Sequence, residues 1–453
     1  MVWTRRQFLV GSGAAAGAAA VGTAAYRAST GDGDRREVRR DGDGPGDRPF
    51  DPGDWESVRA QFPLSPDLRH FAAFVLAAHP RVVGEAIERY REALDRDTEA
   101  ALDEFGDRED AAREAAATYL AVEAQEIALT DSTTMGLALL YDGLRLGEGD
   151  EIITTEHDFY ATHEALRLRS ARDGIAVRRV RLYEEDAPSD AAAASVDGIV
   201  SNLVEAVSPA TKIVAVTWVH SSTGVKLPIA ELASALGDIN AGRDEADRIL
   251  LCVDGVHGFG VEDVTAADLG CDFLVSGTHK WLFGPRGTGL VWGHRDAWAR
   301  VAPVVPSFSR EGFTAWFAGD EPADDRPGHL RTPGGYHSFE HRWAVAEAFE
   351  LHQAIGKAAV QERTRSQASG LKQGLAQLDG VQVVTPAGEE LSAGIVCVDV
   401  AGRQPFELVE ELHRRQIVAS VSPYARPYLR FGPSIVTSPD EVDEVVTAMG
   451  AII

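Results

Sequence analysis

Two features of the sequence predict an α/β fold with a mostly parallel sheet. Segments with the apolar spacing of helices alternate with short apolar runs rich in β-branched residues, such as 213–219 and 249–253. Strands that are apolar on both sides are typical of parallel sheets covered by helices on both faces. The pattern changes after residue 340 to a long amphipathic segment followed by short strands and helices, which predicts a second, smaller α+β domain.

The predicted elements follow one another in the order that this fold requires. Helices are predicted over 82–94, 111–121, 131–146 and 228–236, and strands over 151–154, 175–180, 213–219, 249–253 and 273–276, with a hairpin-like return over 289–292. In the second domain, a helix over 343–378 precedes a strand (394–400), a helix (405–415) and a strand (429–431). Ser438 then begins a last helix as its N-cap, with Glu441 as the acidic residue of a capping box.

Length and composition agree with one large and one small globular domain. The chain has 453 residues, of which 44% are hydrophobic and 25% charged, enough for a sizeable core. We expect the large domain over 56–340 and the small C-terminal domain over 341–453. Residues 31–55 are rich in Gly, Asp, Arg and Pro, which is the composition of a disordered linker. The net charge of −26 repels phosphate backbones, so we expect no nucleic-acid partner.

The first 30 residues have the pattern of an export signal. Arg5 and Arg6 precede a mild apolar stretch rich in Gly and Ala. A twin arginine in this position is typical of the Tat pathway, which exports folded proteins. We therefore expect the Tat export machinery as a partner and a periplasmic, extracellular or membrane-anchored location outside the cytoplasm. A disordered tail or a short membrane anchor is the alternative.

The three cysteines do not form a disulfide framework. Cys252, Cys271 and Cys397 each lie in an apolar, strand-like run. An odd number of cysteines in such surroundings indicates buried free thiols, and their spacing is not that of metal ligands. We expect no metal site.

Lys280 is the most informative of the chain's five lysines. It follows an apolar run, 271–275, and a polar turn, whereas an earlier apolar run ends in Asp254. A lysine and a carboxylate at the ends of successive strands are what pyridoxal 5'-phosphate (PLP) chemistry needs, because the lysine forms a Schiff base and the carboxylate keeps the pyridine nitrogen protonated. The alternatives are a solvated turn lysine and an aspartate bonded to backbone N–H groups.

Other polar residues near predicted strand and helix ends complete a cofactor site. Thr133 and Thr134 stand at a predicted helix start, where backbone N–H groups favour a phosphate; a simple N-cap is the alternative. His257 is placed to reach the phenolic oxygen of the cofactor ring. His157 follows another predicted strand and is placed to stack on the ring as a catalytic residue, unless it is a surface histidine.

One stretch of the sequence resembles a known signature. It reads Ser276-Gly277-Thr278-His279-Lys280-Trp281 and continues to Gly284-Pro285-Arg286-Gly287-Thr288-Gly289. It resembles the lysine region of class V, fold type I PLP-dependent aminotransferases, and with Asp254, His257 and Thr133-Thr134 it is most similar to their isopenicillin N epimerase-like branch. The resemblance, over about residues 65–453, implies a large domain with a mostly parallel mixed sheet, a small C-terminal α+β domain and a homodimer.

The resemblance also implies how the phosphate is bound. His279 and a neighbouring hydroxyl, that of Ser276 or that of Thr278, would contact it. The family's serine usually stands three residues before the lysine, where this chain has Gly277, so the choice between the two hydroxyls stays open.

Two further residues receive roles from the resemblance. Thr332, in the segment Arg331-Thr332-Pro333-Gly334-Gly335, would reach the phosphate bound by the partner subunit. Arg430 would clamp a substrate carboxylate, a task for which the guanidinium fork is suited. A surface ion pair in the small domain is the alternative for Arg430.

We therefore expect a PLP-dependent aminotransferase-like enzyme that acts on the amino group of an amino acid or an amine-bearing peptide through Lys280. Return of a proton to Cα rather than to the cofactor would make it an epimerase or racemase, and a lyase is a further alternative. A catalytically inactive PLP-fold binding protein is the non-enzymatic alternative. Cysteine desulfurases need a nucleophilic cysteine in the loop before the substrate arginine, and residues 419–428 contain none, so we do not expect desulfuration.

Overall fold

The computed structural model of the chain describes residues 48–321 and 325–453. The predicted export signal (1–30) and residues 31–47 of the predicted linker lie outside the described residues. The first helix of the described residues is Trp55–Ala60, whose N-cap residue Asp54 accepts a hydrogen bond from the N–H of Glu56. Within the described part of the chain, no helix combines the length and apolar character needed to cross a bilayer.

The described residues contain strands of two to seven residues. They are, in chain order, β1 (Arg69–His70), β2 (Ile127–Thr130), β3 (Glu151–Thr155), β4 (Ala176–Val180), β5 (Thr211–Thr217), β6 (Leu250–Asp254), β7 (Phe273–Gly277), β8 (Gly289–Gly293), β9 (Val381–Val383), β10 (Val396–Val400), β11 (Ile417–Val418), β12 (Ser420–Val421) and β13 (Leu429–Phe431).

The α-helices cover both faces of the large sheet and flank the small one. They are, in chain order, Trp55–Ala60, Arg81–Arg96, Thr98–Phe105, Arg108–Leu120, Thr133–Gly143, Tyr160–Asp173, Val196–Ala206, Ile229–Asn240, Ala266–Leu269, Arg295–Trp298, Arg310–Ala318, Pro327–Arg331, Phe339–Trp343, Val345–Ile355, Lys357–Leu375, Pro405–Arg414 and Pro439–Gly450.

Seven strands form the large mixed sheet, in the order β2-β8-β7-β6-β5-β3-β4. β8 pairs antiparallel with both of its neighbours, whereas the five strands from β7 to β4 pair in parallel. The predicted fold class is therefore confirmed, including the hairpin-like return after β7. The fully buried β2 was not predicted, because three apolar residues followed by Thr130 are too short a run for periodicity to separate a strand from the end of a helix.

Alternation along the strands places apolar side chains on both faces of the large sheet. Along β5, Val214 and Val216 join one buried cluster, while Ile213 and Ala215 join the cluster on the opposite face. This explains why the strand is a continuous apolar run in the sequence. The sheet is thereby held between two helical layers, and polar groups collect at its edges.

The small domain is built on a four-stranded antiparallel sheet of order β12-β13-β10-β9. β1, from the start of the described chain, pairs in parallel with β11 of this domain. The prediction of one helix over 343–378 is wrong, because Gly356 has a φ of +94° and separates Val345–Ile355 from Lys357–Leu375. The predicted capping box is confirmed, since Ser438 and Glu441 bond reciprocally to each other's backbone N–H.

Candidate active site

Asp254, Lys280 and His157 lie at or just after the carboxyl ends of parallel strands, at one edge of the large sheet. β6 ends in Asp254, and β7 ends in Gly277, three residues before Lys280. His157 comes two residues after β3. Because parallel strands end at the same edge, and open α/β sheets bind ligands outside those ends, the fold brings together residues that are far apart in the sequence.

Lys280 lies in the turn that follows β7, with Nζ 3.2 Å from Nε2 of His257. Desolvation lowers the pKa of Lys280 to about 8; the charge of Asp254 opposes this shift, and that of Arg430 adds to it. A lysine with such a pKa is partly a free amine near neutral pH, and it can act both as a nucleophile and as a base.

Asp254 is almost fully enclosed, with 2% of its surface exposed. Its Oδ1 accepts a hydrogen bond from the N–H of Val256 at 3.1 Å. Burial raises the pKa of Asp254 to about 6, against the opposing effects of that N–H and of the charge on Lys280. A buried carboxylate in this position is stabilised by a cation that faces it, and the protonated nitrogen of a pyridine ring is such a cation.

The helix Thr133–Gly143 begins against the end of β7. The N–H of Gly277 donates to Oγ1 of Thr133 at 2.7 Å. A Cβ at Gly277 would come within 2.8 Å of the His279 ring and 3.1 Å of the Thr133 hydroxyl. The packing of these two side chains therefore explains why the chain has glycine at this position. Nδ1 of His279 is buried and has no hydrogen-bond partner among the described residues, which fits a group that binds a phosphate.

The two hydroxyls beside Gly277 bond within their own loop. Oγ of Ser276 donates to the carbonyl of Gly277 at 3.0 Å. The hydroxyl of Thr278 bonds to that of Thr288. Both residues are buried, so a phosphate contact by either one stays a prediction. Thr134 is exposed at the helix start, and its role also stays a prediction.

His157 is buried, so the alternative of a surface histidine is wrong. Its ring stacks on that of Tyr183, with centroids 3.8 Å apart and planes 6° from parallel. Nδ1 lies 3.0 Å from a carboxylate oxygen of Glu185, and Nε2 lies 3.2 Å from the carbonyl of Tyr183. These contacts fix the plane of the imidazole, while stacking on a cofactor and a catalytic role stay predictions.

Arg430 lies in β13 and is 6% exposed. Its Nε donates to Oγ of Ser420 at 3.1 Å and its Nη1 to the carbonyl of Ser221 at 3.0 Å. The guanidinium also lies 4.8 Å from the centre of the Phe74 ring. None of the ion pairs found among the described residues includes Arg430, so the alternative of a surface ion pair is wrong. A buried cation without a facing acid suits an anionic ligand.

Thr332 lies apart from this group and bonds within its own chain. Its hydroxyl accepts from the N–H of Leu129 at 3.1 Å and from Arg113 at 3.2 Å, and it donates to the carbonyl of Gly328 at 2.9 Å. These bonds place the side chain inside the protomer. Contact with the phosphate of a partner subunit stays a prediction.

Three aromatic residues around the site received no role from the sequence. Trp281 donates from Nε1 to Nδ1 of His257 at 3.2 Å. Phe74 packs against the Trp281 ring and under Arg430. The Tyr424 hydroxyl lies 2.9 Å from Oγ of Ser221. Trp281 could have been found because it directly follows the lysine, and Tyr424 because it lies in the loop before Arg430; no local signal identifies Phe74.

Comparison with known proteins agrees with this geometry. The family model for class V aminotransferases matches residues 77–423, so the chain belongs to that family. An isopenicillin N epimerase from Streptomyces clavuligerus is 27% identical over 417 residues, which are 88% of this chain and 98% of the relative. A cysteine desulfurase from Klebsiella pneumoniae is 29% identical over 281 residues, 58% of this chain and 64% of that protein.

Solved structures share the fold at lower sequence identity. A cystine C–S lyase in complex with cysteine persulfide covers 86% of this chain and 99% of its own, with a TM-score of 0.75 and 22% identity. A cysteine desulfurase from Thermococcus onnurineus has a TM-score of 0.74 at 19% identity, covering 88% of this chain and 98% of its own. The fold is therefore that of type I PLP-dependent transferases.

PLP is the cofactor that follows from this family membership, and the residues at the sheet edge fit it. Lys280 provides an amine of lowered pKa, and Asp254 a desolvated carboxylate. His279 provides a buried nitrogen without a partner, next to a helix start. When bound, PLP supplies an electron sink for the carbon that carries the substrate amine.

Proposed function

We propose that the protein is a PLP-dependent enzyme that acts on the amino group of an amino acid, or of a peptide that presents an amine and a carboxylate together. The observation that carries the proposal is the position of Arg430. Its buried guanidinium has no acid among the ion pairs of the described residues, and its charge lowers the pKa of both Lys280 and His257. A carboxylate bound to Arg430 would place the substrate amine near Lys280.

In this proposal each of three side chains has a separate role. Arg430 makes a bidentate contact with the substrate carboxylate and so orients the substrate. Lys280 would act as the base that takes the proton from Cα and as the acid that returns a proton afterwards. Asp254 holds the proton on the ring nitrogen of the cofactor, and the buried setting of the site strengthens that charge pair.

Transamination is the reaction we propose first, and epimerisation is the second candidate. Transamination returns the proton to the cofactor, whereas epimerisation returns it to Cα. The length of the match to the isopenicillin N epimerase, 98% of that protein, favours the second candidate. A catalytically inactive binding protein remains the non-enzymatic alternative, and the combination of Lys280, Asp254 and Arg430 in one place argues against it.

Cysteine desulfuration is less well supported by the positions of the thiols. Cys252, Cys271 and Cys397 are all buried in or beside strands. Cys397 is opposite Arg430 in the small sheet, but burial raises its pKa to about 12, so it is not a thiolate at neutral pH. The loop before Arg430 presents Tyr424 instead of a cysteine.

A half-reaction screen tests the proposal. The full-length protein is loaded with PLP and mixed with single amino acids in deuterated water. Conversion to the pyridoxamine form supports transamination, and deuterium at Cα without conversion supports epimerisation. Persulfide formed from cysteine would establish desulfuration instead, and a spectrum that no amine or amino acid alters would favour the binding protein.

We also propose that the protein is a homodimer. Thr332 and its segment support a dimer through their resemblance to the family, and light scattering of the purified protein tests it.

Export is a further proposal, supported by Arg5-Arg6 as a Tat signal. Cell fractionation of an Arg5→Lys, Arg6→Lys double variant tests it, and an unchanged distribution of the protein would contradict it.

A further inference from the structure

The indole of Trp281 is buried beside the site, with its one polar atom directed at His257. The residue is 2% exposed, and Nε1 donates to Nδ1 of His257 at 3.2 Å. An indole N–H can donate a hydrogen bond but cannot accept one. Nδ1 of His257 must therefore present its lone pair to Trp281 and cannot carry a proton.

His257 then has one place for its proton. The residue is 5% exposed, and burial together with the charges of Lys280, Arg430 and His279 lowers its pKa well below the ordinary value. The imidazole is thus neutral near pH 7, with a single proton, and that proton lies on Nε2. Nε2 is 3.2 Å from Nζ of Lys280.

The direction of this bond determines which form of Lys280 it favours. An Nε2–H that points at Nζ needs an acceptor there. A free amine has the required lone pair, whereas an ammonium group has three donors and no acceptor. The contact therefore favours the neutral lysine, which is the nucleophilic form.

Close packing holds the indole in this orientation. Its ring stacks on that of Phe74, with centroids 5.8 Å apart and planes 18° from parallel. Gly394, in the small domain, approaches so closely that a Cβ there would lie 2.6 Å from the indole. Gly260, with a φ of +85°, lies against the Trp281 backbone, where a Cβ would come within 2.8 Å. The direction of the N–H is therefore set by both domains.

We propose that Trp281 is a positioning residue that fixes His257 as the Nε2–H tautomer, so that the imidazole donates toward the amine of Lys280 and, in the holoenzyme, to the phenolic oxygen of the cofactor. The statement about the phenolic oxygen rests on the proposed function. The tautomer and its effect on Lys280 do not.

Nuclear magnetic resonance of the full-length protein with ¹⁵N-labelled histidine tests the tautomer directly, with and without PLP. His257→Gln identifies the signals by their loss. We expect the proton on Nε2 in the wild type, and a shift of the proton toward Nδ1 in Trp281→Phe, which keeps an aromatic ring but has no donor. Trp298→Phe is the matched control, because its Nε1–H donates to the distant carbonyl of Glu126.

Acylation of Lys280 as a function of pH, followed by mass spectrometry before PLP is added, gives a second measurement. The groups that face the pair are Asp254, Arg430 and His279, and none is altered by the variants. In Trp281→Phe, His257 can turn a lone pair toward an ammonium, so we expect the apparent pKa of Lys280 to rise by about one unit and acylation at pH 7 to slow about tenfold.

Two results would overturn the inference. One is a wild-type His257 with its proton on Nδ1, which would refute the tautomer assignment even if Trp281→Phe does not fold. The other is a Trp281→Phe protein that matches Trp298→Phe in both measurements. Failure of PLP to attach to Lys280, with the Nε2–H tautomer intact, would contradict the proposed function and leave the tautomer assignment standing.

Discussion

Two lysines in this chain have a pKa lowered to about 8 by desolvation, Lys280 at the edge of the large sheet and Lys372 in the small domain. Lys372 meets three acceptors, the carbonyls of Pro386 and Ala387 and the hydroxyl of Ser392, at 2.7–3.0 Å. Lys280 meets a histidine nitrogen that carries a proton. The first environment holds an ammonium in place, and the second favours a free amine.

The difference shows that a lowered pKa does not identify a functional lysine on its own. What separates the two residues is the set of neighbouring groups. Around Lys372 these groups complete the hydrogen bonds of a structural cation. Around Lys280 a carboxylate, an imidazole and the unpaired guanidinium of Arg430 leave the amine available for reaction.

The largest expected difference is between variants of the two lysines. Lys280→Ala should abolish covalent attachment of PLP and all turnover, with little loss of stability, because a desolvated amine is removed. Lys372→Met should keep attachment and turnover but destabilise the protein by about 2 kcal/mol, because it leaves buried acceptors without a donor. Borohydride reduction with peptide mapping measures the attachment of PLP, and urea unfolding measures the change in stability. Loss of attachment in Lys372→Met would remove the contrast between the two sites.

Arg430 should affect substrate binding rather than the attachment of PLP. Arg430→Lys keeps the charge but loses the planar fork, so we expect KM for the amino acid to rise about 10- to 100-fold, which corresponds to roughly 1.4–2.8 kcal/mol. Arg403→Lys is the control, since Arg403 pairs with Glu411 elsewhere in the small domain. An unchanged KM in Arg430→Lys would show that the substrate carboxylate is bound by another group.

The smallest effect concerns the pH dependence of stability. The pKa of both lysines is about 8 in the folded protein and about 10.4 in an unfolded chain. Between these values the unfolded chain binds more protons, so the free energy of unfolding rises as the pH increases from about 8 to about 10. Replacing either lysine with Met should reduce this rise by about 1 kcal/mol, less than the full shift implies because polarisation of the surrounding protein and nearby solvent screens both charges.

Adding PLP separates the two contributions. Attachment removes the free amine of Lys280, so Lys280→Met should reduce the rise only without PLP, when each variant is compared with wild type under the same conditions. Lys372→Met should reduce it with and without PLP. Urea unfolding at pH 8, 9 and 10 measures the slopes, and a Lys372 contribution that disappears on adding PLP would contradict the account.

The sequence predicts the large sheet and the place of the candidate site well, because apolar strands that end in Asp254 or lead to Lys280 are local patterns. It predicts secondary structure poorly where contacts between distant parts of the chain determine it. β2 is a short apolar run that becomes a strand by pairing with β8, and Gly356 divides a helix whose apolar pattern continues across it. Local patterns report propensity, whereas strand pairing and helix breaks depend on distant contacts.

The same division holds for the site. Lys280 and Asp254 could be predicted from their places at strand ends, whereas the role of Arg430 was predicted only from the resemblance to the family. The use of the Ser276 and Thr278 hydroxyls within their own loop could not be predicted, because it depends on the fold of the turn. The contact of Trp281 with His257 joins residues 24 apart in the sequence, and the stacking of Phe74 on Trp281 depends on a chain segment more than 200 residues away. Such contacts leave no signal in a single sequence.

Attachment of PLP at Lys280 is the central claim, and one measurement tests it most directly. The full-length protein is incubated with PLP, reduced with borohydride, digested and analysed by mass spectrometry. We predict one phosphopyridoxyl group, on the peptide that contains Lys280 and not on those containing Lys212, Lys226, Lys357 or Lys372. A protein that stays unmodified, or that is modified mainly at another lysine, would contradict the account.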